Sequence, residues 1–355
     1  MSRHEGRIRL VMWARFDRYA WRVKKIHHLF STCHSDEAID IDPRLYLDLY
    51  YSRPYFPLFR GLRSLRCSSV KGTPLTISYL CSDLVDVHLE SYYLLDHYIR
   101  DLSEAPCAAN VESLSLKGRI TRVGLEDLLR FVNLRSLVLH IDNPVLHIGL
   151  AGGCEVFAML EQFPHLVFLK RLEIAFYANH IPSSIASTSL AGIKHLDIHT
   201  SAHAMAQVLT AGVFETVVLR FIRLEEASCY NECFSSLANS AGRLQAVTIH
   251  TGCLQMHDFP AAVYLRPLFS AHHLRSVVVL PSYGFNIILV DSDLQDMMIA
   301  WPLLRSLILC PSKVSPAAWN PSMQPTFGCL RVISNALHIE RLSIRANNRF
   351  IQISE

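Results

Sequence analysis

The sequence predicts an α/β fold assembled from stacked helix–strand repeats. Three observations predict it. The quartet Leu-Arg-Ser-Leu stands at 62–65, 134–137 and 304–307, and loosens to Leu-Arg-Ser-Val at 274–277. The pattern apolar-x-x-apolar-x-apolar matches eleven times, with middle anchors Leu65, Val87, Leu114, Leu137, Leu172, Leu196, Val217, Val247, Val277, Leu307 and Leu342. Apolar residues at helical spacing precede several of these matches.

The anchors fix the architecture. Ten steps separate the first from the last, at about 28 residues each, the upper end of the leucine-rich-repeat period. The last two apolar positions of each match are two apart, so they share one face of a short strand. One such unit cannot bury its own apolar side, and stacked neighbours make a continuous core. The expected fold is therefore a leucine-rich-repeat solenoid with a parallel sheet on its concave side. Within the quartet the leucines point inward and Arg-Ser lies at the surface.

Residues 8–30 read as one helix, with Met12, Phe16, Tyr19, Val23, Ile26 and Phe30 as its apolar stripe. Residues 1–45 are expected to be this basic amphipathic helix and a linker, capping the array. Residues 46–355 are expected to form about eleven units. Leu125, Leu128, Leu129 and Val132 make a helix face before Leu137, and Met205, Val208 and Leu209 make another before Val217. Leu294, Met297, Met298 and Trp301 repeat the scheme, with Ser292 and Gln295 as a capping box and Pro302 as a stop. The Pro/Gly-rich stretches 141–153 and 311–328 read as longer loops, the second an excursion from the array.

Composition bounds the function. Half the residues are hydrophobic and 18% are charged, which suffices for a large core and excludes global disorder. The net charge of +3 comes mostly from the first thirty residues, and no other segment resembles a nucleic-acid face. Ten dispersed cysteines and the lack of a glycosylation sequon favour free thiols in the cytoplasm or nucleus. No apolar run reaches the length of a membrane span. Besides a cap, the N-terminal stretch admits an anionic-membrane contact or a targeting signal.

Three stretches resemble the leucine-rich-repeat region of fungal F-box proteins. They are MWARFDRYAWRVKKI at 12–26, PLFRGLRSLRC at 57–67 and LVDSDLQDMMIAWPLLRSLIL at 289–309. The resemblance implies the substrate-recognising part of a cullin-type ubiquitin-ligase subunit, in which an F-box holds the adaptor and the repeats hold the target. No Leu-Pro start of an F-box stands between Met1 and Arg44. An adaptor is therefore expected as partner only if an F-box lies upstream. The alternative is a stand-alone interaction scaffold or a degenerate paralogue.

Chemical motifs are few. Cys229 and Cys233 sit one helical turn apart, with His250 and Cys253 as the other conceivable zinc ligands, and read as buried thiols. His195, Asp197 and His199 alternate along one strand, with His203 beyond, and are expected to share the concave face as surface polar groups. GLAGGC at 149–154 lacks the order of a phosphate loop and reads as a loop leading into a helix. No catalytic set, metal site or cofactor is expected. The concave face carries the functional content, at Glu90, Lys117, His140, His199, Arg220, His250, Val278, Leu280, Ile308 and Cys310. Its chemistry passes from polar to apolar along the array, which marks either a partner site or a patch that the 311–328 excursion covers. The expected partner is an unnamed protein, with neither nucleic acid nor membrane.

Overall fold

The fold was analysed on a computed structural model, which describes residues 10–29, 58–68, 81–141, 153–176, 189–222, 226–251, 258–280, 286–309, 326, 328, 331, 333, 338–346 and 349–354. The chain divides into two compact units, Met1–Leu169 and Lys170–Glu355. Both have the helix–strand repeat of an α/β leucine-rich-repeat solenoid.

Among its described residues the first unit contains five parallel strands in chain order: β1 (Lys25–Leu29), β2 (Ser64–Ser68), β3 (Asp86–Leu94), β4 (Ser113–Arg119) and β5 (Ser136–Ile141). Its helices are α1 (Leu10–Ala20), α2 (Asp96–Glu104), α3 (Arg122–Asp127) and α4 (Gly153–Leu160). Along β4 the residues Leu114, Leu116 and Gly118 are buried, while Ser113, Ser115 and Lys117 face outward. Period-2 alternation thus gives each strand a core face and an open face. The core lies between the inward leucines and Tyr98, Ile99 and Leu102 of α2, Leu125 and Leu128, and Phe131.

The second unit places β6 (Arg171–Ala175), β7 (His195–Thr200), β8 (Thr216–Phe221), β9 (Ala246–His250), β11 (Ser276–Leu280), β13 (Ser306–Leu309) and β14 (Arg341–Ala346) side by side and parallel. β15 (Arg349–Ser354) adds antiparallel to β14. β10 (Asp258–Pro260) and β12 (Asn286–Ile288) form a separate two-stranded ribbon. The helices are α5 (Ala202–Thr210), α6 (Ala227–Leu237), α7 (Ala261–Leu265) and α8 (Asp291–Ala300). α5 starts where the Ser201 hydroxyl accepts the N–H of Ala204 at 3.3 Å, an N-cap. It buries Met205, Val208 and Leu209, as its spacing predicts.

All eleven middle anchors fall in strands, and backbone hydrogen bonding explains the quartet. One carbonyl per repeat accepts two N–H groups from the next. Arg63 O receives Val85 and Asp86, and Glu112 O receives Arg135 and Ser136. In the second unit Gln245 O receives Arg275 and Ser276, and Arg275 O receives Arg305 and Ser306. Arg and Ser of the quartet supply the paired donors, while Leu134 and Leu137, or Leu304 and Leu307, are buried on either side.

Several expectations are corrected. The helix expected over 8–30 ends at Ala20, and Lys25–Leu29 is a strand paired with β2. That strand escaped the pattern because its third anchor is His28, not an apolar residue. Tyr19, placed on the apolar stripe, is 54% exposed, and the buried aromatic of α1 is Trp13. Val132 is exposed and Phe131 buried, because the chain tightens to a 3₁₀ turn at Leu128–Arg130 and rotates the face. The start of α8 is held by Asp293, whose carboxylate accepts the N–H of Val290 at 2.9 Å, and not by Ser292 and Gln295. Most of 141–153 and 311–328 lies outside the described residues.

Candidate functional site

Parallel register aligns open-face side chains into columns running across the strands. In the first unit Glu90, Lys117 and His140 are register partners on β3, β4 and β5. Lys117 Nζ lies 2.6 Å from Glu90 Oε1. Beside them His88 Nδ1 meets Ser115 Oγ at 2.7 Å, and the Ser64 hydroxyl donates to Asp86 at 2.8 Å. Burial and the nearby Arg66 guanidinium pull the His88 pKa below its ordinary value, against the opposing pull of Glu90 and Asp86. Neither His88 nor the Ser64–Asp86 pair was singled out from sequence. His88 sits one column over from Glu90, Lys117 and His140, and an alternating pattern does not rank columns.

The second unit carries the larger constellation. His199, Arg220, His250 and Leu280 are successive register partners on β7, β8, β9 and β11. The neighbouring column reads Asp197, Val218, Thr248, Val278 and Ile308. Arg220 makes a two-pronged contact with Asp197, Nε to Oδ1 and Nη2 to Oδ2, each at 3.0 Å. That fork fixes the guanidinium plane and raises the Arg220 pKa despite partial burial. His250 is pushed down, first by burial and then by the Arg220 charge. Val218, Val278, Leu280 and Ile308 are partly exposed and form an apolar tract next to this charged group.

Nine of the ten residues singled out from sequence therefore lie on open strand faces, three in the first unit and six in the second. Cys310 lies outside the described residues. His195 and Asp197 share the face with His199, but His203 does not. It belongs to α5, and its Nδ1 lies 3.2 Å from Glu232 of α6. Cys229 and Cys233 do sit one turn apart on α6, with Cys233 fully buried. Among the described residues no three His, Cys, Asp or Glu side chains converge as metal ligands. None of the described helices is long and apolar enough to cross a membrane.

A helix-side groove was not foreseen. Arg122, Leu125, Glu126 and Leu129 line it from α3 and the following turn, and Glu155 and Met159 from α4, around a volume of about 270 Å³. The Arg122–Glu126 ion pair at 2.8 Å spans one turn of its rim.

No family model matches the chain, and no curated protein matches it. Among solved structures, the chain is similar to the crystal structure of a TLR13–ssRNA13 complex, at 12% identity and a TM-score of 0.42. The match covers 75% of this chain and 35% of that one, so this chain spans about a third of that neighbour's length.

Proposed function

We propose that the chain is a protein-binding repeat module that takes its partner on the open strand face and catalyses no reaction. One observation carries this reading. In the second unit the polar group Asp197–Arg220–His250 borders the apolar side chains Val218, Val278, Leu280 and Ile308 on register-aligned strands. A protein interface needs an apolar centre for burial and fixed polar groups at its margin for register. Glu90, Lys117 and His140 offer a second polar contact zone on the first unit. Residues 1–45 serve as a cap in this reading, and the protein works in the cytoplasm or nucleus.

The test is affinity capture with the full chain, comparing wild type with Val278→Asp/Ile308→Asp and with Arg220→Glu. All three side chains are partly exposed, so the variants keep their circular dichroism. The reading expects the same captured protein to be lost from both variants. A captured set that is identical for wild type and both variants would remove the open face from consideration.

The resemblance to F-box proteins supports a narrower version, in which this face presents a target to a ubiquitin ligase. That version requires an adaptor-binding F-box encoded in frame upstream. Co-purification of the adaptor with the extended product, and not with residues 1–355, is its expected signature.

A further inference from the structure

We propose that the outward side of α1 and the turn after it docks on an anionic lipid surface. α1 is buried on one side only. Trp13 and Ala20 are buried, and Phe16 packs against Phe59 with ring centres 5.6 Å apart. On the other side Arg15, Arg18, Tyr19 and Arg22 follow at i, i+3, i+4 and i+7, and all are exposed. Exposed Trp21, Lys24 and Lys25 extend this stripe. Five cations thus stand within eleven residues, and the one acid among residues 10–29 is the half-buried Asp17. Arg15, Arg18, Lys24 and Lys25 make no ion pair among the described residues. A solvated face ordinarily mixes both signs. This one does not.

The aromatics select the partner. Tyr19 and Trp21 are 54% and 56% exposed, and two large rings left in water need a reason. Arg22 Cζ sits 5.7 Å from the Tyr19 ring centre and 5.5 Å from that of Trp21. The guanidinium therefore occupies a face of each ring, which leaves less platform for a nucleobase to stack on. Ring edges stay free to enter the headgroup layer, where Trp and Tyr partition. Cations beside exposed aromatics, here on a helix end and the turn after it, are the composition of a peripheral membrane contact. This takes up the anionic-membrane contact that the N-terminal stretch admits from its sequence. It concerns surface docking and involves no spanning segment.

The full chain is to be sedimented with phosphatidylcholine vesicles with and without phosphatidylserine, at two salt concentrations. Binding is expected only with phosphatidylserine, and weaker at the higher salt. Arg18→Glu/Arg22→Glu lowers it by about tenfold or more. Trp21→Ser lowers it at unchanged net charge. Arg18→Gln/Arg22→Gln is the milder second variant, expected to weaken binding in the same direction. Binding that ignores phosphatidylserine, or that survives both the charge and the Trp21 variants, overturns the proposal. So does a single-stranded oligonucleotide that binds more tightly than the vesicles and displaces them, which would assign the patch to nucleic acid.

Discussion

Asp291, the first residue of α8, accepts hydrogen bonds from both the backbone N–H and the hydroxyl of Thr326, the N–H bond at 2.8 Å. Asp96, the first residue of α2, holds Thr121 in the same way, the N–H bond at 2.9 Å. A glycine follows each threonine closely and gives the carboxylate room. A Cβ on Gly124 would lie 2.4 Å from Asp96 Oδ1, and one on Gly328 would lie 3.2 Å from Asp291 Oδ2. The same clamp thus recurs in both units.

Breaking the clamp leaves a backbone N–H and a hydroxyl without their acceptor. Asp96→Ala is expected to cost about 1–3 kcal/mol of stability. Asp96→Asn keeps one acceptor and costs less. Urea unfolding of the two variants checks the order, and equal loss for both would show that charge, not hydrogen bonding, holds the pair.

Gly118 has φ +148, and a Cβ there would stand 2.1 Å from the Ser91 carbonyl oxygen. β3 shifts register beside it, between Ser91 and Leu94. Gly118→Ala is expected to destabilise by about 1–3 kcal/mol from backbone conformation alone, with the backbone clash added to that. Thermal melting followed by circular dichroism measures it. An unchanged midpoint would mean that the bulge relaxes freely.

His88 introduces a pH dependence. Its folded pKa lies below the ordinary 6.5, chiefly through burial. Between those two values the unfolded chain binds the proton and the native chain does not, so stability rises with pH through that window. Stability is therefore expected to fall as the solution is acidified below 6.5. Burial acts on His250 in the same direction. His88→Gln should flatten the slope, as read from denaturant midpoints across that range. A slope unchanged in the variant would assign the effect to other groups.

Cys67, Cys81, Cys107, Cys229 and Cys233 divide by reactivity. Burial pushes Cys67 up to about 12 and Cys107 up to about 11, so both stay protonated and enclosed at neutral pH. Cys81 is raised as well, and its thiol donates to Leu62 O at 3.1 Å. Cys229 is the partly exposed one. Native alkylation mapped by mass spectrometry should label Cys229 first of the five, with Cys67, Cys81, Cys107 and Cys233 labelled only on unfolding.

The repeat was legible because burial enforces it. Leu114 and Leu137 can be read from spacing since a polar residue at either position would remove packing from two neighbouring repeats. β1 was not legible, because His28 interrupts its apolar triplet at the end of the stack, where packing demands are lower. The rotation that buries Phe131 in place of Val132 depends on a 3₁₀ turn that no residue type announces. The candidate face was legible as a set of positions, since alternation fixes which residues point outward. The Asp197–Arg220 fork was not, because it joins residues of different strands, and their proximity follows from register rather than from spacing along the chain.

The doubled carbonyl acceptors, such as Arg275 O receiving both Arg305 and Ser306, place the job of aligning neighbouring strands on main-chain atoms. Every amino acid except proline can donate that bond. The side chains at those steps, and the outward columns beyond them, are therefore released from holding the scaffold. Substitution there can change the chemistry of the outward columns while the strand register survives, so descendants of such a chain can alter one surface by drift without refolding.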